Sequence, residues 1–134
     1  MLSSHVIHDN TTQCVLQTTD AYERSAKECL ARWDKRRHRR PPLLVEWLQY
    51  LPAGASLLDL GCGGGQDAGD LARRGYRIVG VDRTSALLSA GRRRYPLLPL
   101  VRADLRDLPF QAMSFDGLWA AASLMTKRLT MTER

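Results

Sequence analysis

Leu57-Leu58-Asp59-Leu60-Gly61-Cys62-Gly63-Gly64-Gly65 is the stretch whose reading decides the fold. Ser56-Leu57-Leu58-Asp59-Leu60 is a short apolar run, too short for a helix and suited to a buried strand. The glycines after it let the backbone turn sharply and come close to a ligand. Gln66 to Arg74 then reads as a helix ended by Gly75. In open α/β sheets ligands bind at the carboxyl ends of the strands. The N-terminus of the following helix offers unpaired N–H groups to a carboxylate or phosphate. The stretch is therefore a candidate ligand loop between a strand and a helix.

Downstream, Tyr76-Arg77-Ile78-Val79-Gly80-Val81 is a second strand ending at Asp82. Thr84 or Ser85 is placed to cap a helix running to about Arg94. Leu97 to Ala103 is a third strand candidate, with Pro99 tolerable only near its start or on an edge. Phe115 to Ala122 is a fourth. Strands alternating with helices indicate right-handed βαβ units and a mainly parallel sheet.

Upstream, residues 1–19 mix polar and apolar types and read as a loose tail. Asp20 with Glu23 resembles a capping box. Tyr22, Ala26, Cys29, Leu30 and Trp33 recur at helical spacing, so a helix from about Ala21 to Asp34 should lay one face on a core. Pro41-Pro42 stops it and opens a second helix with the stripe Leu44, Trp47, Leu48 and Leu51, closed by Pro52-Ala53-Gly54. The expected organisation is one domain over 1–134: N-terminal helices in 20–52, a βαβ core in 56–124 and a short tail in 125–134.

Composition is that of a soluble globular domain, with 44% hydrophobic and 25% charged residues. Cys14, Cys29 and Cys62 share no metal-ligand spacing, and an odd number argues against a disulfide framework, so no metal is expected and a reducing cytoplasm is the simplest compartment. Met1 to Asn10 has no apolar segment of the signal-peptide kind, and no apolar run reaches membrane-spanning length. The net charge of +6 makes attraction to nucleic acid physically possible. The run Lys35-Arg36-Arg37-His38-Arg39-Arg40 is more simply an exposed helix end, where cations suit the dipole. It lacks the interleaved aromatics of a stacking surface, so nucleic acid is not the expected partner.

A nucleoside ligand needs a second anchor, and Asp82 supplies one about twenty residues past the glycines, where a carboxylate accepts ribose hydroxyls. A dinucleotide fingerprint would read G-x-G-x-x-G. Gly61 and Gly63 fit its first two positions, but residue 66 is Gln where the third glycine should let helix and strand close around a pyrophosphate. That departure, with Asp59 two residues before Gly61, points away from NAD.

Here a resemblance becomes specific. Leu57 to Gly65 resembles the first motif of class I S-adenosylmethionine (SAM)-dependent methyltransferases, and Val79-Gly80-Val81-Asp82 the second. Arg102-Ala103-Asp104-Leu105-Arg106-Asp107-Leu108-Pro109-Phe110 and Ser114-Phe115-Asp116-Gly117-Leu118-Trp119 resemble the third and fourth. The four motifs stand in register, and the resemblance, which covers about residues 20 to 124, is to the small-molecule type of methyltransferase domain. The resemblance implies a Rossmann-like SAM-binding half-domain of about four strands, order 3-2-1-4, flanked by helices, acting on a small-molecule methyl acceptor. It implies that Gly61, Gly63 and Gly65, with Cys62 between them, form the loop under the methionine part of SAM, and that Asp59 holds the amino group directly or through water. It further implies that Asp82 grips the ribose, Arg83 lies beside the adenine, Asp104 receives the adenine amino group and Leu105 packs nearby. Tyr22 stands where relatives close a helix over the cofactor, or is a core aromatic. The lesser readings are that Asp104 caps a turn and that Asp82 caps a helix. Cys62 has no partner base and reads as a small loop residue, so no catalytic residue is named.

The family usually has seven strands, and the resemblance breaks off just past the fourth, before Met125 to Arg134. An open fourth strand carrying Leu118 and Trp119 would invite a second copy or a partner chain. Two readings follow: an active methyltransferase whose acceptor site is completed by the N-terminal helices or another chain, or a SAM-binding module without catalysis.

Overall fold

The computed structural model describes residues 4–37 and 43–121, with side chains from 16–35 and 43–121. His38 to Pro42, which include the end of the basic run and both prolines, and the tail from Ala122 lie outside the described residues. The elements are α1 (Ser4–Arg37), α2 (Leu43–Leu48), β1 (Ser56–Leu60), α3 (Gln66–Arg73), β2 (Arg77–Asp82), α4 (Ser85–Arg94), β3 (Leu100–Arg102) and β4 (Gly117–Trp119).

The four strands form one sheet in the order β3-β2-β1-β4, and each neighbouring pair is parallel. This is the expected Rossmann-like arrangement. β1 and β2 hold the two internal places, and their registers pair Leu57 with Ile78 and Leu60 with Val81. A strand buried on both faces reads as a near-continuous apolar run rather than an alternating one, which is why Leu57, Leu58 and Leu60 are all buried.

Side chains alternate across the sheet and sort into two clusters. Leu57, Ala68, Leu71, Ile78, Leu88 and Leu100 pack on one face, closed by Trp47, Leu48 and Leu51 around α2. Leu58, Leu60, Val81 and Leu105 pack on the other, against Leu108, Phe110 and Phe115. Phe110 and Phe115 meet edge to face at 5.2 Å between ring centroids, a favoured aromatic geometry.

The edge strands are shorter than the sequence suggests. β3 starts at Leu100 because Pro99 has no N–H for the ladder; its carbonyl still accepts the Gly80 N–H at 2.9 Å. β4 covers three of the eight residues expected of it. Among the described residues no helix is long and apolar enough to cross a membrane.

The N-terminal region differs most. Helix begins at Ser4, so residues expected as a loose tail continue into α1. The one break in helical geometry is Ser25, at φ −117° and ψ 22°. Its Oγ donates to the Ala21 carbonyl at 2.6 Å, a back-bond that bends helices. The capping box is also not there. Glu23 lies inside the helix, and its carboxylate accepts the backbone N–H groups of Ser85 and Ala86 at the start of α4. Thr84 is the N-cap of α4 but makes no side-chain cap bond. Glu23 does that work from another helix, with a negative charge favoured at a helix N-terminus.

Candidate functional site

The glycine loop turns because three of its glycines take left-handed backbone angles, with φ of 71° at Gly61, 58° at Gly63 and 81° at Gly65. Side-chain-bearing residues rarely adopt these values. The Gly61 and Cys62 N–H groups both donate to the Val81 carbonyl, at 2.8 and 2.9 Å. The loop is thus fastened to the end of β2 as well as to β1. Gly65 is the N-cap of α3 and has no capping side chain, which leaves the first N–H groups of that helix for other acceptors.

Close packing sets the loop's position. A methyl group on Gly91 of α4 would lie 2.7 Å from the Gly64 carbonyl oxygen, and one on Gly80 would lie 2.9 Å from Cys62 Sγ. From above come two side chains of α1. A methyl on Gly63 would meet the Trp33 ring at 2.9 Å, and one on Gly64 would meet Leu30 Cδ2 at 2.5 Å. Asp34 pairs with Arg94 at 3.0 Å, so α1 is tied to both ends of α4. Tyr22 is 38% exposed, with its ring 6.0 Å from that of Trp33. It is therefore not a core aromatic.

Asp82 joins the second anchor to the loop. Its Oδ2 accepts the Gly63 N–H at 2.9 Å and its Oδ1 accepts the Thr84 N–H at 2.8 Å. Part of the helix-cap reading is present, since Asp82 orients the residue that starts α4. A carboxylate has about four acceptor positions, so two backbone bonds leave capacity for hydroxyls. Asp59 is buried at 3% exposure at the end of β1. Cys62 is buried beside both carboxylates, and burial first, then the charges of Asp59 and Asp82, push its thiol far above the ordinary range. The thiolate is the reactive form, so Cys62 is no nucleophile.

At the ends of β2 and β3, Arg83, Asp104 and Arg106 form one cluster. Arg83 Nη1 and Arg106 Nη2 each donate to Asp104 Oδ2 at 2.6 Å. The side-chain hydrogen bond from Arg106 is the main reason the Asp104 carboxyl is held down at about 2. Leu105, beside it, is 7% exposed and belongs to the second core cluster.

The structure thus brings Asp59, Gly61, Cys62, Gly63, Gly65 and Asp82 together and sets Arg83, Asp104 and Leu105 along the neighbouring strand ends. Sequence reasoning missed Glu23, the seating of Leu30 and Trp33 on the loop, and Arg106. It also missed the Trp119 indole N–H, which donates to Asp67 Oδ2 at 2.9 Å. The residues fit a nucleoside ligand with an amino-acid-like end. Loop glycines and an uncapped α3 N-terminus offer backbone N–H groups that could take a carboxylate, Asp82 has acceptor capacity that could take hydroxyls, and Gln66 holds a buried Nε2 with no hydrogen-bond partner. Buried donors without partners are uncommon and call for an explanation, and an acceptor on a ligand is one. Among the described residues no group of three His, Cys, Asp or Glu is arranged to hold a metal.

A parallel sheet with its ligand loop after the first strand and an acidic residue after the second defines a Rossmann-like nucleoside-cofactor protein. A family model described as "Methyltransferase domain" matches residues 58–129, more than half the chain. The chain belongs to that methyltransferase-domain family. It is 36% identical over 95 residues to the ubiquinone biosynthesis O-methyltransferase of Albidiferax ferrireducens, covering 66% of this chain and 36% of that protein. It is 39% identical over 82 residues to the 2-phytyl-1,4-naphtoquinone methyltransferase of Thermosynechococcus vestitus, covering 57% and 36%. The chain spans little more than a third of the length of these relatives. Among solved structures, a TehB-like SAM-dependent methyltransferase from Corynebacterium glutamicum aligns with a TM-score of 0.58 at 25% identity, over 72% of this chain and 54% of that one. A SAM-bound amino pentose methyltransferase from Micromonospora echinaspora aligns with a TM-score of 0.53 at 27% identity, over 60% and 34%.

Proposed function

We propose that this chain binds SAM at the carboxyl ends of β1, β2 and β3 and serves transfer of its methyl group to a small-molecule acceptor. The observation that carries the reading is the bond from Gly63 N–H to Asp82, which makes the loop and the second anchor one rigid unit. Gly61, Gly63 and Gly65, with the backbone of Cys62, would receive the methionine part, and Asp59 its amino group. Asp82 would take the ribose hydroxyls. The corner of Arg83, Asp104 and Leu105 would take the nucleobase. SAM supplies a methyl group on a positively charged sulfur. What the chain contributes is position: transfer from a sulfonium depends mainly on alignment and proximity, so the chemistry does not require a nucleophile or an obvious general base from this cluster.

The acceptor class rests on the relatives, whose names place them on quinone-type molecules and an amino pentose. A reducing, cytoplasmic setting agrees with the free thiols of Cys29 and Cys62. A second copy or partner chain is proposed at the outer edge of β4, where Leu118 is 39% exposed and edge strands favour association. Incubation with radiolabelled SAM and a panel of phenolic, quinol and amino-sugar acceptors tests the activity. Label in an acceptor is the expected result. SAM bound tightly with no label transferred to any acceptor would reject catalysis by this chain while leaving cofactor binding intact.

A further inference from the structure

All four strands are parallel, so their amino ends share one end of the sheet, and the helices that return between them finish there too. This end lies opposite the glycine loop and Asp82. The three most exposed large hydrophobics among the described residues all sit in turns that lead into its strands. Tyr50, 85% exposed, precedes β1; Leu97, 98% exposed, precedes β3; Met113, 94% exposed, precedes β4. Met113 also holds φ at 64°, the one positive value among the described residues that is not at a glycine. Glycine takes that backbone angle more easily, yet the position carries a long apolar side chain held out in water.

The same end is basic. Arg73 lies in the last turn of α3 with Arg74 after it, Arg77 opens β2, and Arg92, Arg93 and Arg94 fill the last turn of α4. Arg92 Nη2 donates to the Leu100 carbonyl at 2.8 Å, which sets that turn beside the start of β3. Asp70 pairs with Arg73 and Asp34 with Arg94, while Asp116 accepts the Ser56 N–H at 2.8 Å. Among the described residues Arg74, Arg77 and Arg93 have no carboxylate partner, and all three are exposed.

We propose that the amino end of the sheet docks on the surface of an anionic lipid bilayer, with Tyr50, Leu97 and Met113 entering the headgroup layer and the arginines meeting lipid phosphates. Two features select this occupant. Neighbouring strands lie about 4.8 Å apart, so the tips are spread over an end about 15 Å across and are not gathered round a cleft. That spacing suits an extended surface. Apolar tips among cations also suit an interface where acyl chains begin just beneath charged headgroups. A nucleic acid offers phosphates to the arginines but nothing to Leu97 and Met113, which have no aromatic face for a base to stack on. The chain lies on the bilayer without spanning it, and the carboxyl ends of the strands face water.

The experiment is co-sedimentation of the full chain with vesicles of equal parts phosphatidylcholine and phosphatidylglycerol, and with vesicles of phosphatidylcholine alone. The protein is expected to sediment with the anionic vesicles only, and less as salt rises. Leu97→Ser combined with Met113→Gly should weaken binding by about tenfold, since even partial burial of two such side chains contributes that much. Glycine suits the backbone angle at position 113, and circular dichroism of the variant should match wild type. Arg74→Gln, Arg77→Gln and Arg93→Gln together should weaken binding by about tenfold or more and flatten its salt dependence. Equal binding to neutral vesicles, or no binding to anionic ones, overturns the proposal. Undiminished binding in the Leu97 and Met113 variant overturns it too, because charge alone, the Lys35–Arg40 run included, would then account for attachment. Tight binding of a short DNA duplex that anionic vesicles do not displace would assign the face to nucleic acid and overturn it as well.

Discussion

Gly63 donates its backbone N–H to the Asp82 carboxylate at 2.9 Å across 19 residues of chain, while the other oxygen of the same carboxylate accepts the Thr84 N–H at 2.8 Å. One side chain therefore sets the loop after β1 and the start of α4 at the same time. A ligand lying across the strand ends would meet a surface whose two halves are already in register, so little ordering would remain to be done on binding.

Asp82→Ala should accordingly weaken SAM binding by about tenfold or more, as expected when hydrogen bonds worth about 1–3 kcal/mol lose a partner. Cys62→Ala should change it by less than about threefold, since Cys62 contributes its backbone and its thiol stays protonated. Binding titrations of the two variants check the ranking, and the reverse order would contradict the roles assigned.

Gly91→Ala tests the packing of α4 on the loop. The added methyl would sit 2.7 Å from the Gly64 carbonyl oxygen, which is backbone and yields little. Overpacking of this kind costs about 1–3 kcal/mol, enough to outweigh the gain of about 1 kcal/mol from replacing glycine in a helix. Gly69→Ala presses first on the side chain of Tyr95, which can shift where backbone cannot, and should cost less. Urea unfolding of both variants gives the comparison; equal stability would show that the loop gives way easily.

The Asp104 cluster has a pH signature. The carboxyl lies at about 2 in the folded chain against an ordinary 3.8. A group depressed by folding adds stability above its unfolded pKa, and that stability is lost as the pH falls through the folded one. The stability difference between wild type and Asp104→Asn should thus be constant above about pH 5 and shrink between about pH 4 and pH 2. The gain is small, because the pair is partly solvated. Unfolding midpoints measured across that range check it, and a difference that grows on acidification would contradict the pairing.

The edge of β4 predicts self-association at micromolar concentration, with Leu118→Lys shifting the protein toward monomer. Apolar area removed from water contributes about 25 cal/mol per Å², against the entropic cost of joining two chains. Sedimentation velocity checks both proteins. Trp119 is less available for this contact than its sequence position suggests, because its ring lies 5.3 Å from that of Trp47 and its indole N–H is held by Asp67. A wild-type monomer would reject a second copy at this edge and leave only the partner-chain form of the proposal.

The parts of the fold legible in the sequence are those written in local pattern. An apolar run ending in glycines gives β1 and its loop, the second run gives β2, and α4 begins at Ser85 beside the residues read as its cap. What was not legible depends on contacts between segments far apart in the chain. Glu23 and Asp20 look like a local cap, but the carboxylate of Glu23 finds better donors 62 and 63 residues away. The stripe that includes Leu30 and Trp33 shows a helix with a buried face, while no periodicity says that this face rests on Gly63 and Gly64. Asp104 was legible as a motif residue, but its saturation by Arg83 and Arg106 depends on how two strand ends meet.

The most direct test of the central claim is a calorimetric titration of the purified chain with SAM, S-adenosylhomocysteine and NAD under identical conditions. The loop with Gln66 in place of a third fingerprint glycine, joined through Gly63 to Asp82, predicts saturable binding of the first two and none or far weaker binding of NAD. Tight binding of NAD with no binding of SAM would contradict it.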